Sequence, residues 1–557
     1  MKKGIFFIFA LAQSLVASVP TLPMDSVVAT EFAKKANEKP NTLYTMYATQ
    51  FAEASLKFYE ANDLPSAINN HSAAALLAHL GESASVLEPD LFAFFFSNQN
   101  FLNEFTSVLS PKDKLSEVFK ILNDIWKASS EDFKAFPNLA VAIAIVFDCP
   151  PSAWWPHSQV SESVLPRKFQ LATDAFKMWI SDRRRGKLML KTETLSIEEL
   201  KFMVASVATR SEREWAQRAL AVNIASIAKL YPSIKYDYQR LNSKQFDWQG
   251  KTYTLEDIKN EGGICTDQSY YTSEVAKAKG VPAFIFSGAG ADGFHAWVAY
   301  MLKSGKWNFS VGRYASGNYV TGTTIDPQTW EIATSHSLES LREAFRRSQK
   351  YRVNEIHTTF ASRYFSNGDV VKAKKAIESA IKSDFRNFVS WQILLDIAKA
   401  QNDEKAIDKV CYDAMKAFSR SPDNDAFFRI TMIERLNERG KKADARKLSN
   451  AFVVKNKNNR PDLSMFFARM ELLDDIKEND VKKLRSSYKR IFNVFKGNLA
   501  MTLNGLVIPV LQALVAEGKT DKVNEIVEQT RQVIKKSKDE SVASNFERVL
   551  EAFQSAK

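Results

Sequence analysis

Residues 262–330 read GGICTDQSYYTSEVAKAKGVPAFIFSGAGADGFHAWVAYMLKSGKWNFSVGRYASGNYVTGTTIDPQTW. A cysteine follows two glycines and an isoleucine and opens a helix-like run over 266–279, and a histidine stands thirty residues further on (265 to 295). The unpaired N–H groups at a helix start carry partial positive charge and favour a thiolate over a thiol. Gly262 and Gly263 let the backbone enter sharply and leave room for a substrate carbonyl. Gly280, Val281 and Pro282 end the helix, as glycine followed by proline usually does. The next run, 283–287, reads as a buried strand. A Gly-rich turn over 288–293 then leads into a second strand, 295–302, and 303–306 reads as a hairpin turn. Cys265 therefore lies on a helix end and His295 on a strand start, an arrangement that can give a thiol nucleophile its base.

GGIC at a helix start, GVP closing that helix and HAW opening the next strand but one resemble the transglutaminase-like superfamily, whose core is papain-like. The resemblance covers roughly 253–330. It implies that a cysteine attacks an amide carbonyl, a histidine moves the proton and an acidic residue orients the histidine, with Cys265 and His295 in the first two roles. The family's Asp, often in DP(T), falls about four residues after the tryptophan of the strand following the histidine. Counting from Trp307 reaches Val311, between Ser310 and Gly312, and no carboxylate stands there. Asn308 would pair near Met301, about six residues or roughly 20 Å along the strand from His295, too far to serve. Asp326, in Asp326-Pro327-Gln328-Thr329, looks like the family's DPT but follows an inserted hairpin over 311–325. It is kept as the third catalytic candidate, with Ser310 behind it. A pair without an orienting carboxylate would be slower, not necessarily inert. A lone cysteine is usually a small buried hydrophobe; the glycines, the helix start and the HAW segment point instead to a papain-like site. Asp267 and Gln268 read as helix-start and packing residues.

The chain begins MKKGIFFIFALAQSLVASVPTLP, two lysines and then an apolar stretch too short for the roughly 20 residues that span a bilayer. That layout is a secretory signal over 1–18, so the reading is a secreted or periplasmic protein with no integral membrane segment after cleavage. In the 557 residues, 45% hydrophobic and 12% aromatic content can bury large cores. The net charge of +12 is spread among charges of both signs, and the densest basic run, Arg183-Arg184-Arg185, is short. This excludes a nucleic-acid footprint. Three cysteines, Cys149, Cys265 and Cys411, leave at least one free thiol, with a Cys149–Cys411 bridge still open. The six histidines never fall at zinc-site spacings, so neither a metal nor another cofactor is expected.

Apolar residues at spacings of three and four predict helices over 26–38, 42–61, 66–80, 89–109, 112–128 and 196–230, with 139–147 a core helix. Trp154 and Trp155, between prolines, could line a carbohydrate or peptide groove or form a packing corner. Towards the C-terminus, Phe360, Ala361, Tyr364, Gly368, Asp369, Ala373 and Ala380 match the tetratricopeptide pattern, and Asn402, Asp403 and Ala414 repeat part of it at an offset of 34. The expected fold is α+β: a helical region over 19–235, a papain-like transglutaminase-like domain over 236–335, and an α-solenoid of tetratricopeptide-like repeats over 354–557. The function expected is a thiol enzyme acting on peptide or side-chain amides, hydrolysis ahead of cross-linking, with the repeats offering a surface to a protein partner. A catalytically idle fold of the same type, serving as an envelope scaffold or binding module, is the alternative.

Overall fold

The computed structural model describes residues 20–290, 293–313, 321–478, 481–497, 499–537 and 540–555; the signal segment expected over 1–18 lies outside them. The chain is mostly helical around a small antiparallel sheet, an α+β architecture. The strands are β1 (Ala283–Gly290), β2 (Gly293–Lys303), β3 (Lys306–Val311), β4 (Thr323–Ile325) and β5 (Ile332–Thr334), in the order β3-β2-β1-β4-β5. The register sets Gly288 opposite His295, Ser287 opposite Ala296, and Thr323 opposite Ser287 on the other side.

Alternating side chains bury both faces of this sheet, which is why its strands read as nearly continuous apolar runs. Phe284, Phe286, Trp297, Met301, Trp307 and Phe309 join the core of the N-terminal helices. Ile285, Ala296, Val298 and Tyr300 face the other way and pack with Tyr270, Tyr271, Val275 and Ala276 of the helix Cys265–Ala278. That central helix has no outward face: residues 266–278 are all buried, and only Cys265 is partly exposed. Its charges are satisfied internally. Glu274 accepts from Ser206 at 2.5 Å and from Lys277 at 2.7 Å, and Lys277 also donates to the Ala205 carbonyl at 2.6 Å.

Helix Pro137–Phe147 is buried from Leu139 to Val146 at the centre of the N-terminal region, as its unbroken apolar composition requires. Two expected helices are broken, each at a residue whose side chain caps the next segment. The run over 89–109 stops at Asn98, whose carboxamide oxygen accepts from the Phe101 N–H. The run over 196–230 splits into Ile197–Val204, Arg210–Ala219 and a short turn of helix over Ile224–Lys229, with capping boxes at Thr209 and Asn223. Capping competes with helix continuation because it satisfies N–H groups that the first turn leaves unpaired.

From Gln349 onward the helices pack on one another in chain order. The first tight turn places Gly368 at φ +80° and lets Asp369 cap the helix Val370–Ser383. Asn402 and Asp403 do the same for Glu404–Ala417. Small Ala373, Ala376 and Ala380 lie against Phe360, Ala361 and Tyr364. Tyr59 stacks on Phe360 at 4.2 Å and Lys372 pairs with Glu60, so this region is anchored to the N-terminal helices. All three cysteines are unbridged, which closes the question of a Cys149–Cys411 disulfide. Among the described residues no helix is long and apolar enough to cross a membrane.

Truncating Phe286, which is fully buried where the sheet meets the N-terminal helices, should remove about 3–5 kcal/mol of stability in urea denaturation. A loss within about 0.5 kcal/mol, the value for an exposed position, would show that this face does not bear on the fold.

Candidate active site

The helix start that carries Cys265 is built around its two glycines. Gly262 adopts φ +89°, and a Cβ there would lie 2.5 Å from the Lys235 carbonyl. A Cβ on Gly263 would meet Asp267 at 2.4 Å. The main chain over 235–237 runs alongside: Gly263 N–H donates to Lys235 O at 2.9 Å and Asp237 N–H to Gly263 O at 3.0 Å. Any side chain at these glycines would push that segment or Asp267 away.

Asp267 is fully buried and locks the first turn. One carboxylate oxygen accepts from the Ile264 N–H at 2.8 Å and from the Arg240 guanidinium at 2.8 Å; the other accepts from the Tyr253 hydroxyl at 2.8 Å. Since that hydroxyl donates to the carboxylate, His157 Nε2 donates to it in turn, at 3.0 Å. Asp267 thus fills the helix-start role its sequence position suggests. Its partners Arg240, Tyr253 and His157 carry no pattern by which sequence could have joined them to it. Burial raises the Asp267 carboxyl, opposed by Arg240.

The Ala296 N–H and the hydroxyl and N–H of Thr266 lie where they pull the Cys265 thiol's pKa down. Ala296 directly follows His295, so the sulfur sits against the strand that carries the imidazole. Burial is nevertheless the larger effect and pushes the thiol above its ordinary value. The depressed pKa expected from the helix start is therefore not realised, and the resting group is a thiol.

His295 is 7% exposed, and its Nε2 lies 2.6 Å from the Gly312 carbonyl. A carbonyl only accepts, so Nε2 carries the proton and Nδ1 the lone pair. Burial lowers the ring's pKa, so it is neutral at pH 7. Tyr231 ties these pieces together. Its hydroxyl reaches Ala296 O at 2.8 Å and Cys265 O at 3.5 Å, and its ring sits edge-on to His295 at 6.5 Å between centroids. Gly312 has φ +80°, and a Cβ there would lie 2.4 Å from the Tyr231 ring. Only glycine can bring its carbonyl to the imidazole over that ring.

The structure therefore brings Cys265 and His295 onto touching elements and puts a main-chain carbonyl at the third position, beside the place where counting from Trp307 finds no acid. It does not bring Asp326 there. That carboxylate pairs with buried Lys201 at 2.9 Å and accepts from the Gln328 N–H. The strand register sets Asp326 two strands across and four residues along from His295, roughly 16 Å away at ordinary strand spacings. Ser310 is exposed, its N–H bonded to Asn308 Oδ1. Asn308 lies opposite Tyr300, one residue from the Met301 expected, because the register shifts between Met301 and Lys303. Sequence reading missed Tyr231 and the carbonyl of Gly312: neither a lone tyrosine nor a peptide oxygen leaves a motif. Among the described residues no three His, Cys, Asp or Glu side chains gather as a metal ion would need.

No protein-family model matches this sequence, and no curated protein does.

Gly312→Ala should displace both Tyr231 and the carbonyl. A loss of roughly 1–3 kcal/mol in chemical denaturation is expected; an unchanged midpoint would contradict the close approach. Burial lowers His157 to about 3 and His71 to about 4, from an ordinary 6.5. Below 6.5 the unfolded chain takes up protons that the folded chain refuses, so these groups cost stability as the pH falls towards 4. Each contributes a slope of roughly 1.4 kcal/mol per pH unit in the middle of that window. Urea midpoints at graded pH should fall less steeply in His157→Gln than in the parent, and identical slopes would refute the assignment.

Proposed function

We propose that the chain is a secreted or periplasmic thiol enzyme of transglutaminase-like type, with a papain-like core over about 253–330 and tetratricopeptide-like repeats over 354–557. It opens peptide or side-chain amide bonds by acyl transfer to Cys265. One observation carries this reading: the helix that begins at Cys265 packs on the strand that carries His295, whose Nε2 is held by the Gly312 carbonyl.

With Nε2–H donating to Gly312, Nδ1 is the basic nitrogen. It takes the proton of the Cys265 thiol as sulfur attacks the carbonyl carbon. The N–H of Cys265, at the helix start, faces the developing oxyanion. The imidazolium returns the proton to the departing amine and leaves a thioester. Water, deprotonated by the same ring, then releases the acid and restores the thiol. Because thiol and imidazole are both neutral at rest, the proton moves during attack, not before it. Asp326, kept as the third member from sequence, has no step in this scheme.

A second reading, an idle fold serving as an envelope scaffold, is favoured by the upward-shifted thiol and by the uncharged partner of His295. Peptide-resolved iodoacetamide labelling of Cys265 at pH 7.5 separates the two. In the enzyme reading His295→Ala slows alkylation by about tenfold or more, a general base being worth about 10²–10⁴. Equal rates in parent and variant would leave only the scaffold.

A further inference from the structure

Among the C-terminal helices, Pro422–Glu438, Lys442–Asn456 and Pro461–Glu478 enclose an open cavity of about 320 Å³. Ile433, Ala445 and Met470 give it an apolar wall. Glu471 also lines it and is 6% exposed. One of its carboxylate oxygens accepts from Arg490 at 2.7 Å, and the other is buried with no hydrogen-bond partner among the described residues. Such an oxygen costs about 1–3 kcal/mol until something donates to it.

The charges on the walls indicate what is missing. Lys442 pairs with Glu478 at 2.6 Å and Arg446 with Asp475, so these cations are already occupied. Lys477 is exposed at the rim. Among the described residues Asp474 accepts one hydrogen bond, a long one from Asn437 at 3.4 Å, with the charges of Lys477, Arg446 and Lys442 acting from further off. Three acidic and three basic side chains line the cavity, and the acceptors that keep capacity are Asp474 and the second oxygen of Glu471, beside a wall that suits methylene groups. A volume of this size takes a single side chain, not a folded partner.

We propose that this cavity binds an alkyl cation, an ammonium or guanidinium head donating to Glu471 and Asp474 while its stem lies along Ile433, Ala445 and Met470. A lysine or arginine side chain of a peptide and a free diamine share that chemistry. The site stands independently of the chemistry at Cys265.

Calorimetric titration of the full chain at low salt tests it, with Nα-acetyl-lysine amide, Nα-acetyl-arginine amide, Nα-acetyl-norleucine amide and cadaverine as probes. The cationic probes should bind at millimolar concentration or below, and the norleucine compound at least about tenfold more weakly, since a charge-assisted bond is worth about that much. Glu471→Gln should cost about tenfold in affinity and Asp474→Asn severalfold. Asp474→Asn is isosteric and half-exposed, so it retains the fold even where Glu471→Gln disturbs Arg490. A capped amino acid binding more tightly than cadaverine assigns the site to peptides, and the reverse order to a diamine. Equal affinity for the norleucine compound, no effect of either substitution, or no saturation by any probe at millimolar concentration would overturn the proposal.

Discussion

A helix without an exposed face must satisfy its polar groups inside the protein and can do chemistry only at its ends. That constraint governs this molecule. The helix Cys265–Ala278 is enclosed from its second residue onward, with the sheet on one side and aromatic and helical packing on the other. Glu274 and Lys277 neutralise each other within it, and Asp267 closes its first turn through Arg240 and Tyr253. The one residue left at a surface is Cys265. The N-terminal helices, which might look like an appendage, cover the far face of the same sheet and so complete the burial that the central helix depends on.

At that end the chain brings Cys265 and His295 onto touching elements, and a main-chain carbonyl partners the imidazole. A carboxylate beside an imidazole stabilises the imidazolium; a carbonyl orients the ring and fixes its tautomer but brings no full charge. The Gly312 carbonyl therefore supplies geometry without the electrostatic share. The upward-shifted thiol and downward-shifted imidazole follow from the same burial. In the proposed reaction, the backbone N–H groups at the helix start have to supply what the missing carboxylate does not.

Much of the fold was legible because its signals are local. The Gly262–Gly263 entry, the Gly280–Pro282 stop and the turn over 303–306 each specify structure within a few residues, and all lie where they were read. The helix breaks at Asn98 and Thr209 were missed because apolar periodicity runs through a cap whose side chain ends the helix. Of the site, Cys265 and His295 were legible from spacing. Tyr231 and the Gly312 carbonyl were not, since their roles depend on a strand register and on a backbone conformation open to glycine. Asp326 was drawn in by a local motif, and only the register shows it beside Lys201, two strands away.

The proposed chemistry at Cys265 turns on the protonation of one ring. Long-range ¹H–¹⁵N correlation spectra of histidine-labelled protein at pH 7, with His295 assigned through His295→Gln, report it directly. A neutral ring with the proton on Nε2 and a basic Nδ1 is the predicted result. A proton on Nδ1, or an imidazolium at that pH, would contradict the Gly312 clamp and with it the proposed route from thiol to thioester.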